Sequence, residues 1–469
     1  MVIDGIMSVI NKYIELGDFL WEIPMLIFLT IIALMYTVGT RGFQFRYFGH
    51  SINSTLGQQI RGTAAGTTQK GISSFQALCM ALCNTLGVGN IAGVAVSIAL
   101  GGPGAVFWLW LAGILGLIIK YGEIALGVKY REVDPETGMY RGGLMWYVEK
   151  GLGRRFKWLA VFYAATYVVS NLNAPAVQVN TIASSVTTCF THVPPMLVGV
   201  IASGLMGTVL LGGLKRISKV AERIVPFMSV AYMAIVVIIL LMNFTKIPYI
   251  FELIFKYAVT DAKAAAGGFG GATVSMAARY GFARGFYSNG AGMGDTAFSH
   301  ASSDVDHPAK QGMWGISEVL IDTIICTCTA FAILITGSWE SGESGAALTT
   351  QAISRGLKAP VLANLFVMAA VIFFALTTAV MCAYYGEICL RYFTKSKIAS
   401  NVYRLLICLM AVFSTNPVFV ERVDILWRVG DSNVAILIML SLVVLVLLRK
   451  DVYAITRDYE SKYLKGKKQ

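Results

Sequence analysis

The sequence predicts an all-α membrane protein that crosses the bilayer many times, and its composition is the first reason. Hydrophobic residues make up 56% of the 469 residues and charged residues only 14%, whereas charged residues reach roughly 25% in soluble domains. The mean hydropathy is +0.66. So few charged side chains would leave the surface of a soluble globule largely apolar. The same composition excludes a disordered chain and a collagen-like chain.

Long apolar stretches are the second reason. A helix needs about 20 mainly apolar residues to span a bilayer, and eleven stretches of roughly this kind follow one another along the chain. They are predicted as spans at residues 20–40, 73–98, 103–128, 157–188, 194–212, 224–244, 265–290, 312–337, 360–385, 402–416 and 433–449.

The distribution of lysine and arginine between the predicted loops is the third reason. Of the 38 basic residues, 29 fall on one side of the predicted spans and 8 on the other. Basic loops remain in the cytoplasm, so the sequence predicts a prokaryotic plasma-membrane protein with its N-terminus outside and its C-terminus inside. An odd number of spans agrees with this orientation. The net charge of +12 then reflects topology, and nucleic acid is excluded as a partner.

Glycine-rich interruptions occur in two predicted spans. The second span contains Gly87-Val88-Gly89-Asn90 and the seventh contains glycines at 267–271. Interrupted helices in corresponding positions of two halves are typical of transporters built from inverted repeats. The predicted organisation is therefore an extra first helix with a loop (1–72), a first five-helix repeat (73–262), and a second repeat with a cytoplasmic tail (263–469).

An interrupted helix offers two kinds of binding group. Carbonyl oxygens of the first half, which would end near Thr85 and Leu86, suit a Na⁺ ion, and the N–H groups that begin the second half suit a carboxylate. In the seventh span, Phe269 beside Gly270 and Gly271 would cover an apolar side chain of the substrate. The alternative for both interruptions is close packing of helices on small residues.

Polar side chains inside other spans extend this prediction. An amide such as Gln178 is costly at mid-bilayer unless it is hydrogen-bonded, so it faces either a solute or a neighbouring helix. The hydroxyls of Thr377 and Thr378 could complete a Na⁺ site, although threonines in helices often bond their own i−4 carbonyl. Lys120 and Glu123, three residues apart, are predicted to pair locally. Further ionisable candidates in or near spans are Glu318, Asp322 and Glu387.

Residues 101–110, Gly-Gly-Pro-Gly-Ala-Val-Phe-Trp-Leu-Trp, resemble the signature of the alanine/glycine:cation symporter family, the sodium:alanine symporters. The resemblance continues along nearly the whole chain, at residues 41–46, 89–95, 142–153, 178–180, 213–217, 225–228, 279–285 and 384–387. It implies a LeuT-like fold of five-plus-five inverted repeats after one extra helix. It also implies uptake of alanine or glycine coupled to Na⁺, or in some members to H⁺.

The predicted function is therefore symport of a small amino acid with Na⁺, or alternatively H⁺, by a protein that is not an enzyme. The predicted partners are the amino acid and the lipid bilayer, and a monomer is expected to suffice for transport. The residues predicted for the substrate are Gly87, Val88, Gly89, Asn90, Gln178, Phe269, Gly270, Gly271, Met381 and Cys382, and those predicted for the metal ion are Thr85, Leu86, Thr377 and Thr378.

Several positions depart from the pattern of the family. Val88 replaces the usual threonine and removes a hydroxyl. Gly290 replaces the usual glutamate, and Asp295 replaces a serine in what the sequence suggests is a polar cytoplasmic stretch. Met381-Cys382 replaces a Gly-Trp pair and removes an aromatic wall. These departures surround one predicted site, so the identity of the substrate remains open.

Two other functions remain as alternatives. A family member with an altered site could act as a sensor that binds its solute without carrying it, or could carry a different substrate. The tetrad Gly292-Met293-Gly294-Asp295 also matches the GxGD pattern of intramembrane aspartyl proteases. In that case Asp322 would be the second carboxylate of a pair that activates water.

Overall fold

The chain is almost entirely α-helical, which confirms the predicted class. A computed structural model describes residues 2–21, 23–62, 70–260, 274–416 and 423–465. In chain order the helices are α1 (Val2–Trp21), α2 (Ile23–Gly39), α3 (Phe43–Arg46), α4 (Phe48–Ile52), α5 (Gln58–Ile60), α6 (Ser74–Thr85), α7 (Val94–Gly101), α8 (Ala105–Lys129), α9 (Leu144–Tyr147), α10 (Lys157–Cys189), α11 (Pro195–Leu210), α12 (Gly213–Met242), α13 (Ile247–Val259), α14 (Val274–Asn289), α15 (Thr296–Ala301), α16 (Pro308–Ile335), α17 (Gly345–Leu357), α18 (Pro360–Phe393), α19 (Lys397–Phe413), α20 (Val423–Leu447) and α21 (Arg449–Tyr459).

Shorter elements complete the fold. Strands β1 (Glu132–Val133) and β2 (Tyr140–Arg141) form an antiparallel hairpin in which Glu132 faces Arg141. The π-helical segments are Asn53–Gly57, Gly89–Gly93, Val148–Leu152 and Glu460–Lys465, and the 3₁₀ turns are Arg154–Phe156, Phe244–Lys246 and Ser338–Glu340.

A helix or a helix pair overlaps each of the eleven predicted spans. Within the described ranges, five helices are long and apolar enough to cross a membrane, namely α8, α12, α16, α18 and the part of α20 from Arg428. Two bent pairs raise this number to as many as seven. Helix α10 carries several amide side chains and α11 has only 16 residues. Eleven spans therefore remain a prediction, whereas a multi-pass membrane protein is established.

The second predicted span is interrupted where the sequence indicated. Helix α6 begins with a capping box, in which the Ser73 hydroxyl accepts from the N–H of Gln76 and the Gln76 side chain accepts from the N–H of Ser73. It ends at Thr85 because Leu86 has ψ of 85°, outside the helical range. The chain then turns by 54° and continues through Gly89–Gly93 into α7.

A second break lies farther along the chain than the predicted one, which stays a prediction. Residues 267–271 lie outside the described residues, and a break is found between α14 and α15, at residues 290–295. Gly290, Gly292 and Gly294 have φ of 59°, 95° and 80°, a backbone conformation that side chains other than glycine rarely adopt. Asp295, expected in a polar cytoplasmic stretch, is instead completely buried. The polar residues before the break resemble a loop, although packing encloses them.

Helices α14 and α15 run alongside α8 in the same direction. Gly281 packs against Ala105 near the start of α8, and Gly127 packs against Ala297 near its end. The end of α8 at Lys129 leads into the basic loops, and we call this side of the molecule the basic end. The sequence alone places Arg279 and Arg284 among the 29 basic residues of the cytoplasmic side. They instead lie on α14, toward the opposite end of α8, because the break after α14 occurs within the helix bundle.

The hairpin at the basic end makes a testable electrostatic prediction. Partial burial of the Glu132 carboxylate is outweighed by hydrogen bonds from Lys150, Trp146 and Arg141, which lower its pKa to about 2. A lowered folded-state pKa contributes stability that is present above the unfolded value of about 4.5 and is lost as the pH falls through about 2. We expect the melting temperature of Glu132→Gln to fall below that of wild type at pH 6, and the difference to shrink below pH 4.5. A difference independent of pH would contradict this assignment.

Candidate functional site

A small cavity lies where the two interrupted helices meet α10, α18 and α20. Its volume is about 120 Å³, well below the 300–1,000 Å³ of pockets that hold drug-sized ligands, so it fits a small solute. Among the described residues that line it, Arg284 carries the single charge. The lining residues are Asn84, Thr85, Gly87, Gly89, Tyr167, Ser170, Asn171, Asn173, Ala174, Val177, Gln178, Arg284, Tyr287, Ser288, Gly290, Met293, Thr378, Cys382, Gly430 and Val434.

Oxygen atoms converge on one side of this cavity, at the end of α6. The Thr378 hydroxyl on α18 lies 2.8 Å from the carbonyl oxygen of Cys83 and 3.3 Å from that of Leu86. It also lies 3.0 Å from the carbonyl of Phe374 in its own helix. A hydroxyl has one proton, so it cannot satisfy three carbonyls at once. Carbonyl and hydroxyl oxygens grouped in this way are of the kind that binds a hard cation.

Thr377 and Met381 face a different part of the bundle. The Thr377 hydroxyl donates to the carbonyls of Phe373 or Phe374, within its own helix, at 2.9 and 3.0 Å. Both side chains line a separate cavity of about 200 Å³ between α6, α11, α12 and α18. The structure therefore brings Thr378, Cys382 and Thr85 to the first cavity, with the Leu86 carbonyl beside Thr378, and places Thr377 and Met381 at the second cavity.

The residues of the first interruption have different surroundings. Gly87 and Gly89 line the cavity, whereas Val88 and Asn90 are buried away from it. Asn90 stabilises the break itself, because its Oδ1 accepts from the N–H of Gly87 at 3.1 Å. Its Nδ2 donates to Asp322 at 2.6 Å and lies 3.1 Å from the Ser288 hydroxyl. Asn90 thus connects the first interrupted helix to α14 and α16.

Gln178 lies in the cavity wall. Its Oε1 is buried and has no hydrogen-bond partner within the described part of the chain, so an acceptor is left available to a solute. The neighbouring amide Asn180 has the alternative role, since its Nδ2 donates to the carbonyl of Ser414, just after α19, at 2.5 Å. The predicted substrate residues Phe269, Gly270 and Gly271 lie outside the described residues.

Arg284 is a candidate that sequence reasoning missed. Its guanidinium lies against the Cα atoms of Gly89 and Gly93 and over the ring of Tyr287, at 5.0 Å from the centroid. Its Nε and Nη2 have no hydrogen-bond partner among the described residues. The sequence offers one local sign of its role, since the arginine stands 6 residues before a Gly-x-Gly-x-Gly run. Such a run is typical of a cytoplasmic loop, so this sign alone does not indicate a binding residue.

Beside the cavity, a fully buried charge network connects the break at 290–295 to α8 and α16. The Lys120 ammonium pairs with Glu318 at 3.2 Å, and His300 lies 3.3 Å from the other oxygen of Glu318. The predicted local pair with Glu123 is therefore corrected. Glu123 turns toward the break, where its Oε1 accepts from the N–H of Gly294 at 2.8 Å.

Two positions that depart from the family pattern, Gly290 and Asp295, lie close to Lys120. A Cβ atom at Gly290 would lie 3.3 Å from the Lys120 ammonium nitrogen. The Asp295 carboxylate interacts electrostatically with the same ammonium. The chain thus lacks a carboxylate at one position beside Lys120 and has one at another. Opposite charges inside a membrane bundle stabilise each other strongly, because water does not screen them.

The two carboxylates of the protease alternative do not form a pair. Asp295 binds Asn84, Tyr167 and the N–H of Thr296, whereas Asp322 binds Asn90 and Ser288. Another ionisable candidate, Glu387, forms an ion pair with Arg404, which donates to both of its carboxylate oxygens at 2.7 Å.

Known proteins are similar to this chain in sequence and in fold. The family model described as "Sodium:alanine symporter family" matches residues 6–469. An uncharacterized transporter, YflA, of Bacillus subtilis is 36% identical, over 96% of this chain and 94% of its own. The sodium/alanine symporter AgcS of Methanococcus maripaludis is 31% identical, over 97% and 98%.

Among solved structures, MhsT in complex with L-phenylalanine is similar with a TM-score of 0.56 and 16% identity, covering 83% of this chain and 99% of MhsT. The similarity confirms the LeuT-like fold. The relatives are transporters and not enzymes, which removes the protease alternative. The match along almost its full length shows that the chain belongs to the sodium:alanine symporter family.

Proposed function

We propose that this protein carries a small neutral amino acid, of the alanine or glycine type, into the cell together with Na⁺. Sodium-coupled amino-acid symport is the activity of its family, and the identity of the substrate is our proposal. The observation that supports it best is the group of oxygens formed by Thr378 and the carbonyls of Cys83 and Leu86 beside a 120 Å³ cavity. In this proposal the protein lies in the plasma membrane with its N-terminus outside.

The wall of the cavity suits the two charged ends of an amino acid. Gln178 offers an unpaired oxygen to the ammonium group. The carboxylate would lie toward Gly87 and Gly89, where the Arg284 guanidinium adds a positive charge. An arginine beside helix N–H groups is a strong site for a carboxylate. The apolar side chain would meet Phe269–Gly271, as the sequence predicts, and Cys382.

Coupling requires that the cation and the amino acid favour the same conformation of the protein. The carbonyls proposed for Na⁺ and the glycines proposed for the substrate belong to one interruption, at residues 83–89. Fixing this segment for one ligand therefore organises it for the other. Inward movement of Na⁺ provides about 2.3 kcal/mol per 100 mV of membrane potential. The proposed repeats, 73–262 and 263–469, would move against each other around this site.

Reconstitution into liposomes tests the proposed function. We expect radiolabelled alanine or glycine to accumulate when Na⁺ is high outside, and accumulation to cease when the Na⁺ gradient is dissipated by an ionophore. Accumulation that follows an H⁺ gradient without Na⁺ would indicate the alternative ion. Binding without accumulation would favour the sensor, and accumulation that ignores both gradients would reject symport.

Substitution of Gln178 by alanine tests the proposed ammonium site. The variant removes an acceptor that the wild-type cavity holds ready, and we expect KM for the amino acid to rise about tenfold, since hydrogen bonds to charged groups contribute roughly 1.5–3 kcal/mol. Gln351→Ala is the matched control, because its buried Oε1 also lacks a partner in the described structure but lies on α17, away from this cavity. Equal effects in both variants would assign Gln178 to helix packing.

A further inference from the structure

One side chain in the cavity wall, Asn84 at the end of α6, is held by a residue that does not reach the cavity. Its Nδ2 donates to the Oδ2 of Asp295 at 2.7 Å. Asp295 is completely buried and is absent from the cavity wall. The contact thus joins α6, the first half of the first interrupted helix, to the break between α14 and α15.

The carboxylate of Asp295 is held as an acceptor. Its Oδ1 accepts from the N–H of Thr296 at 2.7 Å, and its Oδ2 accepts from the Tyr167 hydroxyl at 3.2 Å as well as from Asn84. The Lys120 ammonium lies near enough to interact electrostatically. Three donors fix the position of this carboxylate, and hydrogen bonds of this kind favour its charged form.

A fixed carboxylate decides which way the amide of Asn84 points. An amide has one donor end and one acceptor end, and an acceptor facing a carboxylate would be repelled. The Nδ2 of Asn84 must therefore face Asp295, which leaves Oδ1 on the other side. There its partner is the Cys382 thiol at 3.6 Å, a weak donor. The cavity thus keeps an acceptor at Asn84 in addition to the one at Gln178.

We propose that Asp295 is a positioning residue that turns the Asn84 oxygen toward the substrate, where it accepts a hydrogen bond from the ammonium group. This inference rests on the proposed function. It assigns to Asp295, one of the departures from the family pattern, a role in selecting amino acids over small carboxylates that lack an ammonium group. Asp295 acts through Asn84 and does not itself touch the substrate.

A double-mutant cycle in the full-length protein tests this inference. Asn84→Ala, Asp295→Ser and the double variant are reconstituted in liposomes, with alanine as the transported probe and L-lactate, which has the carboxylate and methyl group but no ammonium, as a competitor. We expect each single variant to raise KM for alanine about tenfold and to leave inhibition by L-lactate and the Na⁺ half-saturation within twofold of wild type. The double variant should be no worse than either single one, because both remove the same acceptor.

Three outcomes would overturn the inference: an unchanged KM in Asp295→Ser, independent effects that multiply in the double variant, or equal losses for alanine and L-lactate. If Asp295→Ser does not fold, Asp295→Asn carries the test, since it keeps the shape and removes the charge that orients the amide. Absence of Na⁺-dependent alanine uptake by the wild-type protein would overturn the proposed function and this inference together. Uptake by the wild type combined with multiplying effects would overturn the inference alone.

Discussion

Thr378→Val is expected to remove most of the Na⁺ dependence of transport. The substitution keeps the shape of the side chain and deletes the hydroxyl that faces the carbonyls of Cys83 and Leu86. We expect the Na⁺ concentration for half-maximal uptake to rise ten- to hundredfold, because a contact with a charged ligand is worth roughly 1.5–3 kcal/mol. Uptake of labelled alanine at increasing Na⁺ concentration measures this change.

The neighbouring Thr377→Val variant is the matched comparison. It makes the same chemical change one residue away, where the hydroxyl bonds its own helix and faces the second cavity. We expect its Na⁺ half-saturation to stay within about twofold of wild type, since the i−4 bond that it deletes contributes little in a helix. If both variants lost Na⁺ affinity to a similar extent, the cation site would include both threonines, as the sequence alone suggests. No loss in Thr378→Val would move the cation site elsewhere.

Lys120→Met is expected to have the largest effect on stability. The ammonium is completely buried and is the counter-charge of Glu318 at 3.2 Å, with Asp295 and Glu123 also within electrostatic reach. Removal of one partner of a buried ion pair costs about 3–5 kcal/mol, because the remaining charge is left without compensation. We expect a large drop in the melting temperature of the purified protein and in its yield from membranes.

Removing the opposite charge should recover much of this loss. In Lys120→Met/Glu318→Gln, one carboxylate no longer needs the ammonium, so the melting temperature should rise from that of Lys120→Met toward that of wild type. Glu318→Gln alone provides the reference for the lost bond with His300. A double variant less stable than Lys120→Met would show that the pair is not the source of the effect.

Much of the fold could be predicted from the sequence, because a membrane imposes a length and a polarity on each span. A helix or helix pair overlaps every predicted apolar stretch, and the first interruption follows directly from Gly87 and Gly89. The break at residues 290–295 was not predicted, since the glycines at 290, 292 and 294 stand beside polar residues that resemble a loop. Burial of those polar residues depends on α8 and α16, which the local sequence does not reveal.

The site was predictable where one helix carries the signal. Gln178 stands out as an amide in an apolar span, and Thr378 follows from the resemblance to the family. Asn84, Arg284 and the Lys120–Glu318 pair depend on contacts between residues far apart in the chain, so their roles could not be inferred from spacing. For Lys120 the local signal was misleading, because a carboxylate three residues away is the simplest partner until the break at Gly294 provides another donor for it.

The bond between Asn84 and Asp295 also bears on how the protein must rearrange. Helices α6 and α15 are the two short halves that lead from the breaks to the basic end, and they pack against each other. If one swung away alone, a buried carboxylate would lose its amide partner in a medium that offers no replacement. We therefore expect α6 and α15 to move together, as one unit, whenever the protein opens toward the basic end.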